Sequence, residues 1–176
     1  MVNRGEDDVE RAQAMKALTL RQPWASAVMY GPKDWENRVW VPGWMIDALN
    51  KGYPPPRVWI GLHAGKAWAC AKRELDEELE DLRFDWPAAP PAPDYPLGCL
   101  LGAVEIVGAV RCPALGQLLP WQIRQPAGRP SWCWKIGNVA PLPEPIPMAG
   151  RQGLWNLPEP HVAKLRGAYA NRFGGS

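Results

Sequence analysis

Residues 18–38 read LTLRQPWASAVMYGPKDWENR, and the rest of the chain is organised around this stretch. Leu18 and Leu20 fall on one face of a strand over Ala17–Leu20. Pro23 follows, and the first turn of a helix tolerates it because the missing N–H would have no partner there. Trp24, Ala27 and Val28 then recur at helical spacing and predict one buried stripe. Gly31-Pro32 stops the helix. From Lys33 to Trp40 the alternation of a strand returns, with Glu36, Arg38 and Trp40 on one face and Trp35, Asn37 and Val39 on the other.

Outward from there, Met45–Lys51 reads as a short helix ended by Gly52 and the prolines that follow. Val58–Ala64 reads as a strand with Val58, Ile60 and Leu62 inward and Trp59 and His63 opposite. Lys66 to about Leu82 carries the longest helical pattern, and its acidic side (Glu74, Asp76, Glu77, Glu78, Glu80, Asp81) repels phosphate. The proline-rich run 86–96 is a semi-rigid loop. Leu100–Arg111 is a long central strand, where Gly102 and Gly108 mark a bulge, a bend or a close backbone approach. Residues 113–130 read as loop with one helical turn near 115–119. Ser131–Val139 is the next strand, Ile146–Met148 and Leu154–Leu157 close the set around Gly150-Arg151-Gln152-Gly153, and His161–Arg172 is a final helix. Five to six short strands with inserted helices predict an α+β, mainly β fold, a small closed or half-open β-barrel with flanking helices.

The length of 176 residues suits one domain. The expected division is a polar N-terminal tail over 1–16, a folded domain over 17–158, and a C-terminal helix and tail over 159–176. No run of 18 apolar residues is present, and the start MVNRGEDDVERAQ is charged, so a cytoplasmic protein without membrane attachment or signal peptide is expected. Cys70, Cys99, Cys112 and Cys133 form no CxxC pair and there are only two histidines, so neither a disulfide framework nor a zinc site is expected. Reduced, mostly buried thiols are the reading, with no metal and no cofactor.

The net charge of +2 hides an uneven distribution. Outside residues 1–16 and 66–85 the body carries 13 basic and 7 acidic groups, which suits a polyanion as well as an ordinary soluble surface. Eleven tryptophans are more than one core cluster needs; one or two lining a groove would suit a flat, π-faced ligand.

No phosphate loop, HExxH, GxSxG or Cys/His cluster is present. The candidates are therefore individual. Glu36 and Arg38 are same-face neighbours, either a structural ion pair or part of a site. Lys33, after the Gly-Pro break, is either a solvated loop lysine or a group that binds phosphate or acts as a base. His63, before Gly65-Lys66, either contacts a ligand or satisfies a turn.

Residues 17–38 also resemble the opening of the ASCH (activating-signal-cointegrator homology) domain: a strand, a Q-P-W-A helix start, then G-x-K-x-x-E-x-R. Here Gln22, Pro23, Trp24, Ala25, Gly31, Lys33, Glu36 and Arg38 carry that pattern. IGLHAGKAW (60–68), GCLLGAVEIVG (98–108), SWCWKIGNV (131–139) and GRQGLW (150–155) extend the likeness over about residues 17–158. The resemblance implies a PUA-like β-barrel whose cleft, between the first helix and the sheet, takes RNA, single-stranded DNA or a modified nucleobase. It places Lys33, Glu36 and Arg38 in that cleft, with Gln22, Trp24, His63 and Lys66 near its rim. Some ASCH-like proteins are small hydrolases of an acylated nucleoside or of RNA; in the amidohydrolases the loop lysine works with a threonine three residues on. Here that position is Glu36, a departure from the amidohydrolase pattern; a hydrolase acting on a nucleoside or RNA would use Lys33 and Glu36 as its proton-handling groups. A third reading is an interaction domain whose tryptophan-rich surface docks a protein partner.

Overall fold

The computed structural model of the chain describes residues 15–54, 56–112, 121 and 132–173. The tail over 1–14, the loop over 113–120 and 122–130, and the strand start at 131 lie outside them. In chain order the elements are β1 (Lys16–Gln22), α1 (Trp24–Met29), β2 (Trp35–Arg38), α2 (Gly43–Asn50), β3 (Val58–Trp68), α3 (Leu75–Asp85), β4 (Cys99–Arg111), β5 (Trp132–Pro147), β6 (Leu154–Asn156) and α4 (Glu159–Phe173). Single 3-10 turns sit at Lys72–Glu74 and Ala92–Asp94.

The strands form one six-stranded sheet in the order β2-β5-β4-β3-β1-β6. β1 and β3 run parallel, with Leu18 opposite Leu62 and Leu20 opposite Ala64, and the other four pairings are antiparallel. This corrects the expected barrel: the sheet is open. Its outer strands are four and three residues long and sit at opposite ends. A barrel would need those two to pair.

Alternation along the strands sends successive side chains to opposite faces, and each face has its own cover. Leu18, Leu101 and Val104 join Ala25, Val28 and Met29 of α1 and Met45 of α2 in one core cluster. Their neighbours Ala17, Leu100 and Ala103 join Val162 and Leu165 of α4 in another. The sheet thus lies between α1 and α2 on one side and α4 on the other. Leu165 is fully buried, which is worth about 2 kcal/mol relative to leaving it exposed. The acidic helix α3 packs on the far side of α1 through Leu79, Leu82 and Trp86 against Ala27.

Two elements differ from the sequence expectation. β3 does not end at Ala64 but runs on to Trp68, and the helix expected from Lys66 begins only at Leu75, after a 3-10 turn. Lys66 is therefore a strand residue. The pairing of β1 with β3, which continues through Leu20–Ala64 to Gln22–Trp68, holds the extension in place. β5 is one continuous strand over residues that read as two separate ones, and it pairs with β4 through several register shifts.

Candidate nucleic-acid site

Gln22 ends β1 with its amide wholly buried. Its carbonyl accepts the Ser26 N–H at 3.1 Å, and its amino group donates to Ser26 Oγ at 2.9 Å and the Pro96 carbonyl at 2.7 Å. One side chain thus fixes the entry to α1 and ties the helix to the loop before β4. The amide of Gln22 is used up in the scaffold rather than lining a cavity.

After α1 the chain turns at Gly31, where a Cβ would come within 2.8 Å of the Trp86 ring and 2.9 Å of the Ala27 carbonyl. Only glycine fits that approach, and the turn delivers Lys33 inward. Lys33 is 5% exposed; its ammonium donates to the Trp35 carbonyl and to Glu36 Oε2 at 3.3 Å. On the other side of the same carboxylate, Arg38 Nε stands 3.0 Å from Glu36 Oε1, and Arg38 Nη2 donates to the Thr19 carbonyl at 3.4 Å. Arg38 Nε is buried without an aligned hydrogen bond, so charge rather than direction holds this second contact. Glu36, 8% exposed, is clamped between two cations.

Glu36 and Arg38 face a cavity of about 990 Å³, together with Trp24, Trp40, His63 and Lys66. Of the seven residues expected at the site, five line it: Trp24, Glu36, Arg38, His63 and Lys66. Gln22 does not, and Lys33 stands behind Glu36, lining a smaller hollow of about 170 Å³ with Trp24, Asn37 and Trp121. Arg21 at the end of β1 and the segment Met148–Gly153, with Arg151 and Gln152, complete the large cavity. The Gly-Arg-Gln-Gly run between two strands was the available signal for that segment.

Two further features set the cavity's chemistry. The Lys66 stem lies along Gly98, where a Cβ would meet Lys66 Cγ at 3.1 Å, so packing aims this lysine. His63 Nε2 donates to the Met148 carbonyl at 3.0 Å, leaving Nδ1 an unpaired, buried acceptor in the neutral ring. Burial holds the His63 imidazole below its usual titration range, opposed by the bond to Met148. Arg21, Arg38, Lys66 and Arg151 all line the cavity, and its one carboxylate, Glu36, is already paired. Anionic groups are therefore favoured there.

No family model matches the chain. Over 152 residues it is 26% identical to activating signal cointegrator 1 of Homo sapiens and to the protein of the same name from Mus musculus. That match covers 80% of this chain but 22% of each of those proteins, so the chain spans about a fifth of their length. The crystal structure of ASCH from Zymomonas mobilis covers 88% of this chain and 95% of its own, with a TM-score of 0.53 at 12% identity. A serine-to-alanine variant of the same protein gives 0.50 at 13% identity, covering 88% and 96%. The resemblance carried by residues 17–158 is thus matched by the backbone, and the chain has the fold of that ASCH structure.

Proposed function

We propose that the large cavity binds a nucleobase of single-stranded RNA or DNA, with the flanking phosphates on its cationic rim. The observation that carries this is the clamped Glu36 beside Arg21, Lys66 and Arg151, which form no ion pair among the described residues. Its oxygens are fixed by Lys33 and Arg38 yet keep lone pairs to accept base N–H groups, while Arg38 presents donors beside them. Trp24 and Trp40, both half-buried on the cavity wall, offer π-faces to a stacked base. Arg21, Lys66 and Arg151 are exposed at the mouth, where phosphates would lie.

The hydrolase reading is less well supported. A general base needs a free lone pair, whereas the Lys33 ammonium already donates to a carbonyl and a carboxylate. Lys33 here is an anchor for Glu36.

The test is titration of labelled mixed-sequence single-stranded RNA and DNA at low salt, alongside free and acylated nucleosides. Binding that falls about tenfold in Arg38→Ala, the loss of one charge-assisted contact, supports the reading. Absence of binding to every probe sinks it, and turnover of an acylated nucleoside that Lys33→Ala abolishes would restore the enzyme.

A further inference from the structure

Away from the large cavity, where β4 ends and β5 begins, two thiols are in contact. Cys112 Sγ and Cys133 Sγ are 2.8 Å apart, and a disulfide bond measures about 2.05 Å. The strand register explains the meeting. Val110 is opposite Cys133 and Arg111 opposite Trp132, so Cys112, two residues beyond Val110, reaches diagonally across the end of the ladder. Cys133 is fully buried and Cys112 half-buried, so a reagent from solution meets Cys112 first.

We propose that Cys112 and Cys133 are a redox-modification site, closed to a disulfide by exchange with a small-molecule disulfide of the glutathione class. The Cys112 thiolate attacks one sulfur of the reagent and releases one thiolate. The Cys133 thiol then loses its proton and attacks the Cys112 sulfur, and the second small thiol leaves. Two protein thiols are oxidised and one glutathione disulfide is reduced to two thiols.

The surroundings favour this order of events. Burial, the hydrogen bond to Cys112 and the nearby Cys112 charge push the Cys133 thiol up to about 12, while Lys33 opposes them. Two of those three raising effects come from Cys112 itself and disappear once Cys112 is in the mixed disulfide. The Lys33 charge remains to assist the resolving step. Closure also has a structural consequence at the candidate site. The Cys133 thiol donates to Asn37 Oδ1 at 3.4 Å, and Asn37 Nδ2 donates to the Trp121 carbonyl at 2.8 Å. Oxidation removes that thiol hydrogen from the residue standing between Glu36 and Arg38.

The experiment exposes the full chain to oxidised glutathione, alkylates the remaining thiols and maps peptides without reduction. The expected result is an intact mass lower by two hydrogens, a linked pair of peptides holding Cys112 and Cys133, and alkylation at Cys70 and Cys99. In Cys133→Ser, glutathione should stay on Cys112 until a reducing thiol removes it. Alkylation of both Cys112 and Cys133 in the treated wild type, or a linkage that leaves either of them out, overturns the proposal whatever the cavity binds.

Discussion

Glu36 shows how a single carboxylate is made both stable and useful. Removing its buried partner leaves a charge that neither water nor another cation fully compensates, and such losses run at about 3 kcal/mol. Lys33→Met should therefore lower the unfolding free energy by about that much, read from urea denaturation, because Lys33 and Glu36 are 5% and 8% exposed. A loss below about 1 kcal/mol would mean that the pair is solvated like a surface bridge. His63 supplies a second measurable effect. Its folded titration is depressed by burial, whereas an unfolded histidine titrates near about 6.5. Between those two values the unfolded chain binds the extra proton, so the contribution is whole above about 6.5 and is lost as pH falls through the lower folded value. Melting temperatures from about pH 7.5 to about pH 5 should thus fall more steeply in the wild type than in His63→Asn, and parallel curves would exclude His63 as the cause. At this scale the Glu36–Arg38 pair was legible, because period two alone puts both on one face. The inward turn of Lys33 was not, since it precedes β2 and follows no period. Gln22 was misplaced for a different reason: an amide suits a base edge and a helix entry equally, and only packing decides between them.

Among the elements, β5 is the one the sequence concealed. Pro141, Pro143, Pro145 and Pro147 argue against a strand, because proline has no N–H for the ladder. The register resolves the conflict. β4 pairs with the ends of the run, Gly102 opposite Pro141 and Leu100 opposite Ile146, and the register shifts between them, so Pro143 and Pro145 fall where the ladder with β4 is interrupted and cost it no bond. β2 reaches only Trp132–Lys135 on the side away from β4, so the proline segment has no further strand beside it among the described residues. Close approach to β4 completes the pairing: at Gly102 a Cβ would lie 2.3 Å from the Ala140 carbonyl oxygen and 2.8 Å from Pro141 Cα. Prolines on an exposed edge also prevent a second chain from adding there. Replacing the exposed Pro143 and Pro145 together with threonine would restore two backbone donors. Concentration-dependent self-association by light scattering, with an unchanged circular dichroism spectrum, is the expected outcome; a double variant that stays monomeric at every concentration would show that the prolines do not guard the edge. The Lys66 error has a related origin. Periodicity could mark the helix but not its start, and the pairing of β1 with β3 carries the strand on to Trp68.

Over the whole molecule, alternation told which residues were buried but not which strand each would pair with, so it could not separate an open sheet from a barrel. Charge was more legible. The acidic helix α3 packs behind α1, whereas Arg21, Lys66 and Arg151 gather at the cavity mouth from β1, β3 and the segment after β5. No helix among the described residues is long and apolar enough to cross a membrane. That separation leads to a quantitative expectation for nucleic-acid binding. Each phosphate neutralised on a single strand contributes about −0.7 to the slope of log affinity against log salt. Three rim cations engaging one phosphate each should give a slope of about −2. Arg151→Ala should then flatten it by about 0.7 and weaken binding equally for all sequences, since phosphate contacts carry no base information. Glu36→Gln should do the reverse, changing preference among bases while leaving the slope intact, because its carboxylate touches no phosphate in this arrangement. A Glu36→Gln slope that shifts with the Arg151→Ala slope would mean that base and phosphate are not read at separate places, and the cavity would then be no more than a basic surface.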